Sequence, residues 1–379
     1  MGSHTEEKKL TIANLGNSNS FKNNYICKYF LNQGHNVHFI CREFPKSGID
    51  GIHYHVIQSK IIRIPNLKLI EIIARTRKSL ITVNPDIIHA HNAGLPGIIT
   101  AACRIHPFII QCFGGDLFEK KSFVKRICMK FSLAAADGII VTGEHMVNAL
   151  SEQFKINPGK VHVIPRGIDL SKFKPQHEKK KLKAQLKLPD GPIILSPRYQ
   201  LTSIYNIDIL FEAFAIVSKI STDSSLIQFY KPGHNTAGYE KLLLMAEHMG
   251  ISNRVIFLPT VANERMPEFY NIADICISIP SHEGFPVTIL EGSACKVPFI
   301  VNNLPYTREW FEHMRNGWIL NDLSSDSLSN AMLVLLKDKS LRENLAENSY
   351  QKVTKGYDYG KCMQKLENLY NELATGKNI

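Results

Sequence analysis

Strand-like apolar runs alternate with helix-like segments in both halves of this 379-residue chain. Such alternation predicts parallel sheets whose strands are joined by crossover helices. The predicted strands of the first half are residues 10–15, 37–42, 87–91, 108–113, 138–142 and 161–164. Those of the second half are residues 193–196, 226–230, 255–257, 273–280 and 299–301. We therefore predict an α/β fold with two doubly wound, Rossmann-like domains that face each other across a cleft.

A polar, lysine-rich segment, residues 174–190, separates the two alternating halves and has prolines near both ends. We place the interdomain linker there, with room for a short helix inside it. The N-terminal domain then spans residues 1–175 and the C-terminal domain spans residues 190–358. A chain of 379 residues is long enough for each domain to build its own core.

Composition limits the class of protein. Apolar residues make up 44% of the chain, which is typical of an ordered globular protein. No apolar run approaches the roughly 18–20 residues that span a bilayer. Residues 1–4 resemble an expression-tag remnant, and no signal peptide follows them. The 8 cysteines show neither metal-binding nor redox spacing. We therefore expect a cytoplasmic protein with buried thiols, and no nucleic-acid partner.

The net charge of +11 belongs to the first half of the chain. Residues 1–175 contain 23 Lys and Arg against 12 Asp and Glu, whereas the remainder is balanced. The densest basic segment is residues 120–131, in which Phe123, Ile127 and Phe131 recur at helical spacing. One interpretation is an interfacial helix on anionic lipid, at the inner face of the cell membrane. The other is an ordinary amphipathic helix whose apolar stripe faces the core, and we prefer it.

Residues 281–291, SHEGFPVTILE, place two carboxylates around a Gly-Phe-Pro turn. A strand before the turn and a helix after it would aim backbone N–H groups and a helix dipole at an anion. With a helix beginning at Pro286, Glu291 lies roughly 7–8 Å along its axis, while Glu283 stays on the loop. A diphosphate held there would have a carboxylate on each side. That layout matches the ribose and hexose hydroxyls of a nucleotide-sugar, although two acids on a surface loop would have the same spacing.

This segment resembles the donor-binding signature of retaining, family-4-type (group 1) glycosyltransferases with the GT-B fold. The positions that match are Pro280, Ser281, Glu283, Gly284, Phe285, Pro286, Glu291, Ala294 and Pro298. Gly292 stands where the family usually has Ala, and Lys296 where it usually has Gly. The resemblance covers nearly the whole chain, including VIPRGID at residues 163–169. It implies that the C-terminal helix, residues 359–379, crosses back to the first domain.

The resemblance also implies roles for individual residues. Arg198 would contact the donor phosphates, Glu283 the donor sugar and Glu291 the ribose. The diphosphate would meet backbone N–H groups of the turn, to which Pro286 contributes none. Val261 would lie on the loop against the nucleobase. The predicted donor-binding residues are Gly16, Arg198, Lys231, Val261, Glu283, Gly284, Phe285, Pro286, Val287, Thr288 and Glu291. The predicted catalytic residues are Glu283, Arg198 and Asp116, with no metal ligands and no cofactor.

One departure concerns the charges expected around the donor. Tyr205 stands where the family has a second phosphate-binding Lys. Lys231, just after the strand 226–230, would substitute for that Lys if its strand is the neighbour of the Arg198 strand. The alternative for Lys231 is a solvated side chain beside a turn.

The first half departs as well. Phe113 stands where the family has a His near the acceptor, so no general base is assigned. Asp116 is retained and either contacts a substrate or caps a turn. His89 and His91 point to one face of a strand. Without a third ligand, a structural role for this pair is preferred over metal binding.

Together these features predict a metal-independent, retaining transferase that moves a hexosyl group from a nucleotide diphosphate sugar, for which we expect a UDP-sugar. The acceptor is expected to be lipid-linked, a glycan or a small molecule. The alternatives are a catalytically silent nucleotide-sugar- or membrane-binding protein on the same fold, and a nucleotide-sugar epimerase.

Overall fold

The computed structural model describes residues 8–59, 65–118, 122–199, 203–233 and 235–376. Its strands are β1 (Thr11–Leu15), β2 (Asn36–Cys41), β3 (His53–Val56), β4 (Ile87–Ala90), β5 (Phe108–Gln111), β6 (Gly138–Val141), β7 (Val161–Val163), β8 (Ile193–Ser196), β9 (Ser225–Tyr230), β10 (Val255–Pro259), β11 (Ile275–Ser278), β12 (Phe299–Val301) and β13 (Trp318–Ile319). Its helices are α1 (Phe21–Asn32), α2 (Pro65–Val83), α3 (Leu95–Cys103), α4 (Gly115–Phe118), α5 (Phe123–Ala135), α6 (Glu144–Phe154), α7 (Lys179–Gln185), α8 (Ile207–Ile220), α9 (Thr236–His248), α10 (Met266–Ile272), α11 (Val287–Ala294), α12 (Pro305–Trp310), α13 (Ser325–Lys337), α14 (Lys339–Gly356) and α15 (Tyr359–Ala374).

The chain divides into two units, each with its own parallel sheet. Unit 1 comprises Met1–Pro165 and Lys361–Ile379, and its strands run in the order β3-β2-β1-β4-β5-β6-β7. Unit 2 comprises Arg166–Gly360, with the order β10-β9-β8-β11-β12-β13. Strand order reverses between β1 and β4 and between β8 and β11, as in doubly wound sheets. The predicted α/β class with two parallel-sheet domains is confirmed.

The central strands of both sheets are buried along their whole length: β4, β5 and β6 in unit 1, and β8, β11 and β12 in unit 2. Helices on both faces of a parallel sheet exclude water from such strands, which explains their continuous apolar sequences. The sequence prediction missed two edge strands. The sequence of β3 is HYHV, whose mixed polarity gives no clear period, and β13 has only two residues.

The boundary between the units lies ten residues before the predicted one. Ile168 and Phe173 are buried in the core of unit 2. The backbone N–H of Ile168 donates to the carbonyl of Tyr357 at 2.8 Å, and the N–H of Tyr359 donates to the carbonyl of Ile168 at 3.0 Å. These contacts tie the start of unit 2 to its end. The predicted linker segment contains α7, which packs against α10.

Helix α5 differs from the preferred interpretation of its sequence. Phe123, Ile127 and Phe131 are exposed, whereas Met129 and Leu133 face the core. The expectation that the Phe/Ile/Phe stripe is core was therefore wrong. Lys120 and Lys121 of the same basic segment lie outside the described residues. Within the described residues, no helix is long and apolar enough to cross a membrane.

Helix α15 docks on unit 1 through buried polar groups. The Glu367 carboxylate accepts a hydrogen bond from the hydroxyl of Tyr29 at 2.9 Å and pairs with Nε2 of His35 at 2.8 Å. Nδ1 of His35 accepts the backbone N–H of Leu10 at 3.1 Å. The ring of Tyr370 stacks on Phe30, with centroids 4.6 Å apart. The end of the chain thus completes the core of unit 1.

Replacement of Glu367 by Ala should destabilise unit 1 by about 2–4 kcal/mol, because it leaves the Tyr29 hydroxyl and His35 buried without their partner. The free energy of unfolding is measured by urea denaturation followed by circular dichroism. Glu372→Ala, an exposed site on the same helix, is the matched control and should change it by less than about 0.5 kcal/mol. Equal effects of the two substitutions would contradict the assigned role of Glu367.

Candidate active site

The candidate site in unit 2 lies at the carboxyl ends of three adjacent strands. Strand β8 is paired in parallel with β9 on one side and with β11 on the other. The chain leaves these strands toward Arg198, Lys231 and Glu283 respectively. The prediction that the Arg198 and Lys231 strands are neighbours is confirmed. Ligands of doubly wound sheets bind at this edge, next to the reversal in strand order.

Arg198 and Glu283 form a bidentate ion pair. Nη1 donates to Oε1 at 3.0 Å and Nη2 to Oε2 at 2.6 Å, which is the geometry in which guanidinium and carboxylate fit best. Burial is the largest single influence and lowers the pKa of Arg198, but Glu283, through its charge and its hydrogen bonds, together with Tyr205 and Tyr306 outweighs it and leaves the pKa above its ordinary value. The two predicted donor-binding side chains are therefore bonded to each other here.

Tyr205, which replaces the family Lys, lies against this pair. The guanidinium carbon of Arg198 is 5.0 Å from the centroid of the Tyr205 ring, within the range of a cation–π interaction. The backbone carbonyl of Arg198 accepts from Nε2 of Gln228 at 2.5 Å. The aromatic ring and the neighbouring strand thus hold the arginine from two directions. This contact was not predicted, because the sequence shows Tyr205 only as a replacement of the family Lys.

The loop that carries Glu283 is fixed to the turn before α8. Nδ2 of Asn206 donates to the carbonyl of Ile279 at 2.7 Å and to Oγ of Ser281 at 3.0 Å. The N–H of Ser281 donates to the carbonyl of Ile204 at 2.7 Å. The Phe285 ring, further along the loop, packs against Trp310, with centroids 5.3 Å apart. These contacts set the path of the Gly284-Phe285 backbone.

Helix α11 begins one residue later than expected. Pro286 has extended backbone angles, φ −75° and ψ 127°, and is the N-cap residue rather than the first helical residue. Val287 and Thr288 then form the first turn, whose N–H groups have no acceptor one turn earlier in the helix. The predicted order of strand, turn and helix is present with this shift, and anion binding at the helix start stays a prediction.

Glu291 is buried on α11 and is held by two donors. The hydroxyl of Tyr270 donates to Oε2 at 2.8 Å, and Nδ2 of Asn263 donates to Oε1 at 3.0 Å. Burial raises the pKa of Glu291, and these hydrogen bonds together with the charges of Arg166 and Arg198 oppose that rise without cancelling it. Each carboxylate oxygen keeps a second lone pair for a ligand hydroxyl.

Asn263 also links Glu291 to the predicted nucleobase loop. Val261 lies on that loop, partly buried against the core of unit 2, and Asn263 begins the short 3-10 turn that follows. The N–H of Thr260 donates to the carbonyl of Tyr230 at 2.7 Å, which anchors the loop to β9. Asn263 and Tyr270 were not among the predicted site residues. Asn263 comes directly after the nucleobase loop, and Tyr270 lies on α10, whose sequence has no motif that would indicate a site.

Lys231 lies exposed at the first position after β9. Its role as a second cation beside Arg198 stays a prediction. Within the described residues, no group of three or more His, Cys, Asp or Glu side chains is arranged to hold a metal ion.

In unit 1, the Asp116 carboxylate accepts hydrogen bonds from two backbone N–H groups. Its Oδ1 accepts the N–H of Phe113 at 2.9 Å and its Oδ2 accepts the N–H of Ala93 at 3.1 Å, and the residue is buried. This geometry corresponds to the capping alternative of the sequence analysis. Asp116 joins the ends of two neighbouring strands, β4 and β5.

Gly16 follows β1 and lies where a side chain would not fit. A Cβ atom there would be 2.9 Å from Nδ2 of Asn23 and 3.1 Å from Cβ of His91. Gly16 lines a cavity of about 370 Å³ in unit 1. Its other lining residues are Leu15, Asn17, Ser18, Ile40, Cys41, Arg42, Glu43, Ile57, Ile72, Thr76, Leu95, Pro96 and Ile99. The aliphatic members make the cavity largely apolar, with polar groups from the ends of β1 and β2.

The two histidines at the end of β4 have structural partners. His89 and His91 stack with centroids 4.0 Å apart and are buried. Nδ1 of His89 bonds the Tyr370 hydroxyl at 2.5 Å, and Nε2 of His91 bonds Oδ1 of Asn14 at 2.9 Å. Burial lowers the pKa of His91 to about 3, so its ring is neutral at physiological pH.

Two unusual residues of the motif are explained by their surroundings. A Cβ on Gly292 would lie 2.6 Å from Cε2 and Cζ of the buried Phe299 ring. Lys296 adopts a left-handed conformation, φ 57°, and its Nζ pairs with Glu347 at 2.6 Å. The glycine is therefore required by a neighbouring ring. The lysine has an ion pair that offsets some of the conformational cost that a glycine would avoid.

Gly292→Ala should lower the free energy of unfolding by about 1–3 kcal/mol, because the methyl group overpacks against Phe299. Helix propensity alone predicts the opposite sign, a gain of about 1 kcal/mol. Urea denaturation followed by tryptophan fluorescence measures unit 2, which contains both tryptophans, Trp310 and Trp318.

The control repeats Gly292→Ala in a Phe299→Leu background, where the smaller side chain leaves room for the methyl group. There the substitution should be neutral or stabilising. If its cost is the same in both backgrounds, the proposed clash is not the reason for the glycine.

The chain is similar to known glycosyltransferases. The family model described as Glycosyl transferases group 1 matches residues 178–352, and the one described as Glycosyltransferase Family 4 matches residues 24–172. The chain is 25% identical over 304 residues to UDP-Gal:alpha-D-GlcNAc-diphosphoundecaprenol alpha-1,3-galactosyltransferase of Escherichia coli, covering 77% of this chain and 76% of that protein. It is 26% identical over 265 residues to D-inositol 3-phosphate glycosyltransferase of Corynebacterium jeikeium, covering 68% and 62%.

Among solved structures, HepE of Anabaena in complex with UDP and glucose has a TM-score of 0.81 at 17% identity, covering 96% of this chain and 100% of that chain. Sucrose-phosphate synthase from Thermosynechococcus elongatus has a TM-score of 0.81 at 19% identity, covering 96% and 99%. These likenesses show the fold.

Proposed function

This chain belongs to the group 1, family-4-type glycosyltransferases, and we propose that it transfers a hexosyl group from a nucleotide diphosphate sugar to an acceptor hydroxyl. In this proposal the anomeric configuration is retained and no metal ion takes part. The observation that carries it is the arrangement of Arg198, Glu283 and Glu291 around the start of α11. Arg198 is bonded to Glu283 on the loop before α11, and Glu291 lies one turn inside that helix.

Donor binding would exchange the partner of Arg198. The diphosphate and the Glu283 carboxylate compete for the same parallel N–H groups of the guanidinium. When the diphosphate takes them, Glu283 is free to accept hydrogen bonds from the sugar hydroxyls. The Tyr205 ring would keep the orientation of the Arg198 guanidinium during the exchange. It contacts the face of the guanidinium and leaves the N–H edge open to the diphosphate.

The remaining donor groups follow from the same frame. Backbone N–H groups of Phe285, Val287 and Thr288 would bind the phosphate oxygens together with the helix dipole. Glu291 would accept the ribose hydroxyls through the lone pairs that Tyr270 and Asn263 leave unused.

Other positions complete the proposed assignment. Val261 would lie against the base, Gly284 would let the backbone approach the donor closely, and Pro286 would direct the N–H groups that follow it. Lys231 would supply the second positive charge for the leaving diphosphate. In unit 1, Gly16 would let the donor sugar or acceptor approach the end of β1 closely.

The chemistry assigned to the site is a same-face displacement. The bond from the anomeric carbon to the phosphate oxygen breaks while the acceptor oxygen bonds to that carbon from the same side. The acceptor proton passes to the leaving phosphate oxygen, which gains negative charge as the bond breaks. Because the phosphate takes the proton, no side-chain base is needed where Phe113 replaces the family His. Arg198 stabilises the developing charge, and Asp116 positions the backbone of residues 93 and 113.

We infer a UDP-sugar as donor and a cytoplasmic site of action at the inner face of a cell membrane. Support for the donor comes from HepE, whose structures contain UDP, UDP with glucose and UDP-glucose. Support for a lipid-linked acceptor comes from the Escherichia coli relative, whose name specifies a diphosphoundecaprenol acceptor. The apolar cavity beside Gly16 would suit such an acceptor.

We expect wild-type protein to release UDP from a UDP-sugar faster than it releases GDP or ADP from the corresponding donors, with or without EDTA. Arg198→Ala should lower kcat/KM at least about 100-fold, because it removes the cation that stabilises the departing phosphate. Lys231→Ala should lower it about tenfold. Lys219→Ala, an exposed lysine on α8, is the matched control and should leave it unchanged.

Full activity of Arg198→Ala would contradict the proposed mechanism. If Lys231→Ala behaves like Lys219→Ala, the second-cation role is wrong while the rest stands. With an identified acceptor, proton NMR of the product tests retention: an α-linked donor should give an α-linked product.

A further inference from the structure

Unit 1 carries an unpartnered apolar face on α5. Phe123, Val124, Ile127 and Phe131 are 77%, 68%, 53% and 54% exposed. At about 100° per residue these four side chains fall within an arc of roughly 100° on one side of the helix. The opposite side, with Met129 and Leu133, is buried. Four large apolar side chains grouped in this way are unusual on a surface that meets only water.

Cations and no acids flank the face. Lys130 and Arg126 are exposed and lie on the helix about 20° and 60° beyond Phe123, on the side away from Val124. The sequence of α5, FVKRICMKFSLAA, contains no Asp or Glu. At the C-terminal end of α5, Nζ of Lys160 donates to the carbonyls of Leu133 and Ala134, both at 2.8 Å.

Neighbouring helices also carry exposed apolar side chains. Helix α3 packs against both α2 and α5. Exposed Leu67 and Ile70 lie near the start of α2, and exposed Leu95 begins α3. Leu95 also lines the cavity beside Gly16.

We propose that the outward face of α5 docks unit 1 on an anionic phospholipid bilayer. Phe123, Ile127 and Phe131 enter the interface between headgroups and acyl chains, and the flanking Arg126 and Lys130 bind the anionic headgroups. Charge decides between this occupant and a second copy of the chain. The excess of +11 in the first half attracts anionic lipid, whereas two such faces would repel each other. The docking does not depend on the proposed reaction, since it involves none of the donor-binding residues.

Vesicle co-sedimentation tests the proposal on the full chain. Wild-type protein should bind vesicles of equal parts phosphatidylglycerol and phosphatidylcholine far more strongly than vesicles of phosphatidylcholine alone, and less strongly at high salt. The triple variant Phe123→Ser, Ile127→Ser, Phe131→Ser should lose at least about twentyfold in partition coefficient. Arg126→Gln with Lys130→Gln should lose about fivefold per cation.

The matched control replaces three exposed apolar residues of unit 2, Ile220→Ser, Leu243→Ser and Leu244→Ser, and should bind vesicles as wild type does. Circular dichroism establishes that each variant is folded, and UDP release from a UDP-sugar in solution should be unchanged in the α5 variants. If the protein binds the anionic vesicles but releases no UDP, the proposed reaction is wrong and the docking proposal stands.

Absence of wild-type binding to the anionic vesicles would overturn the proposal, as would equal binding by the α5 triple variant and wild type. Sedimentation equilibrium without vesicles identifies the other occupant. A dimer that the triple variant abolishes, with no vesicle binding by wild type, would assign the face to a second copy of the chain.

Discussion

The bidentate bond between Arg198 and Glu283 organises the carboxyl edge of the unit 2 sheet. Strand β8 lies near the middle of the sheet, next to the reversal in strand order. Arg198, two residues after β8, therefore lies near the centre of that edge. A guanidinium in this partly buried position needs a partner, because an unpaired charge away from water is costly. Glu283 supplies the partner, and the loop that carries it leads directly into α11. The loop, the helix start and the arginine are therefore fixed by one interaction.

The same bond explains how a site that would bind an anion is stable before the anion binds. The carboxylate occupies the N–H groups that a diphosphate would use, and Tyr205 covers the face of the guanidinium. The family Lys at this position would add a second charge, whereas the aromatic ring adds orientation. Glu291, the other carboxylate of the site, is held in place without an ion pair. It is buried and held by the neutral donors Tyr270 and Asn263, so its position does not depend on a counter-ion.

The sequence predicted the parallel sheets, most strands and the donor segment because these depend on local patterns. Apolar runs buried on both faces, such as β8, and the Gly-Phe-Pro turn before α11 are visible in a few consecutive residues. Contacts between distant segments were not predictable in this way. The Arg198–Glu283 bond, the Asn263–Glu291 bond and the Phe299 ring beside Gly292 each join residues that no local pattern connects.

Helix α5 shows a second kind of limit. An apolar stripe at helical spacing predicts an amphipathic helix but does not say which face is covered. Met129 and Leu133 fill the core here, and the larger aromatic residues point outward. Which face of α5 is buried is set by the packing of α5 against α3, and that packing depends on the whole unit.

The central claim is that a donor diphosphate replaces Glu283 as the partner of Arg198. Isothermal titration of UDP into wild-type protein and into Glu283→Gln tests it most directly, since UDP lacks the sugar that Glu283 would contact. Removal of the competing negative charge should make UDP bind several-fold more tightly to the variant, although the variant turns over a UDP-sugar more slowly than wild type. Equal or weaker binding of UDP by Glu283→Gln would contradict the exchange.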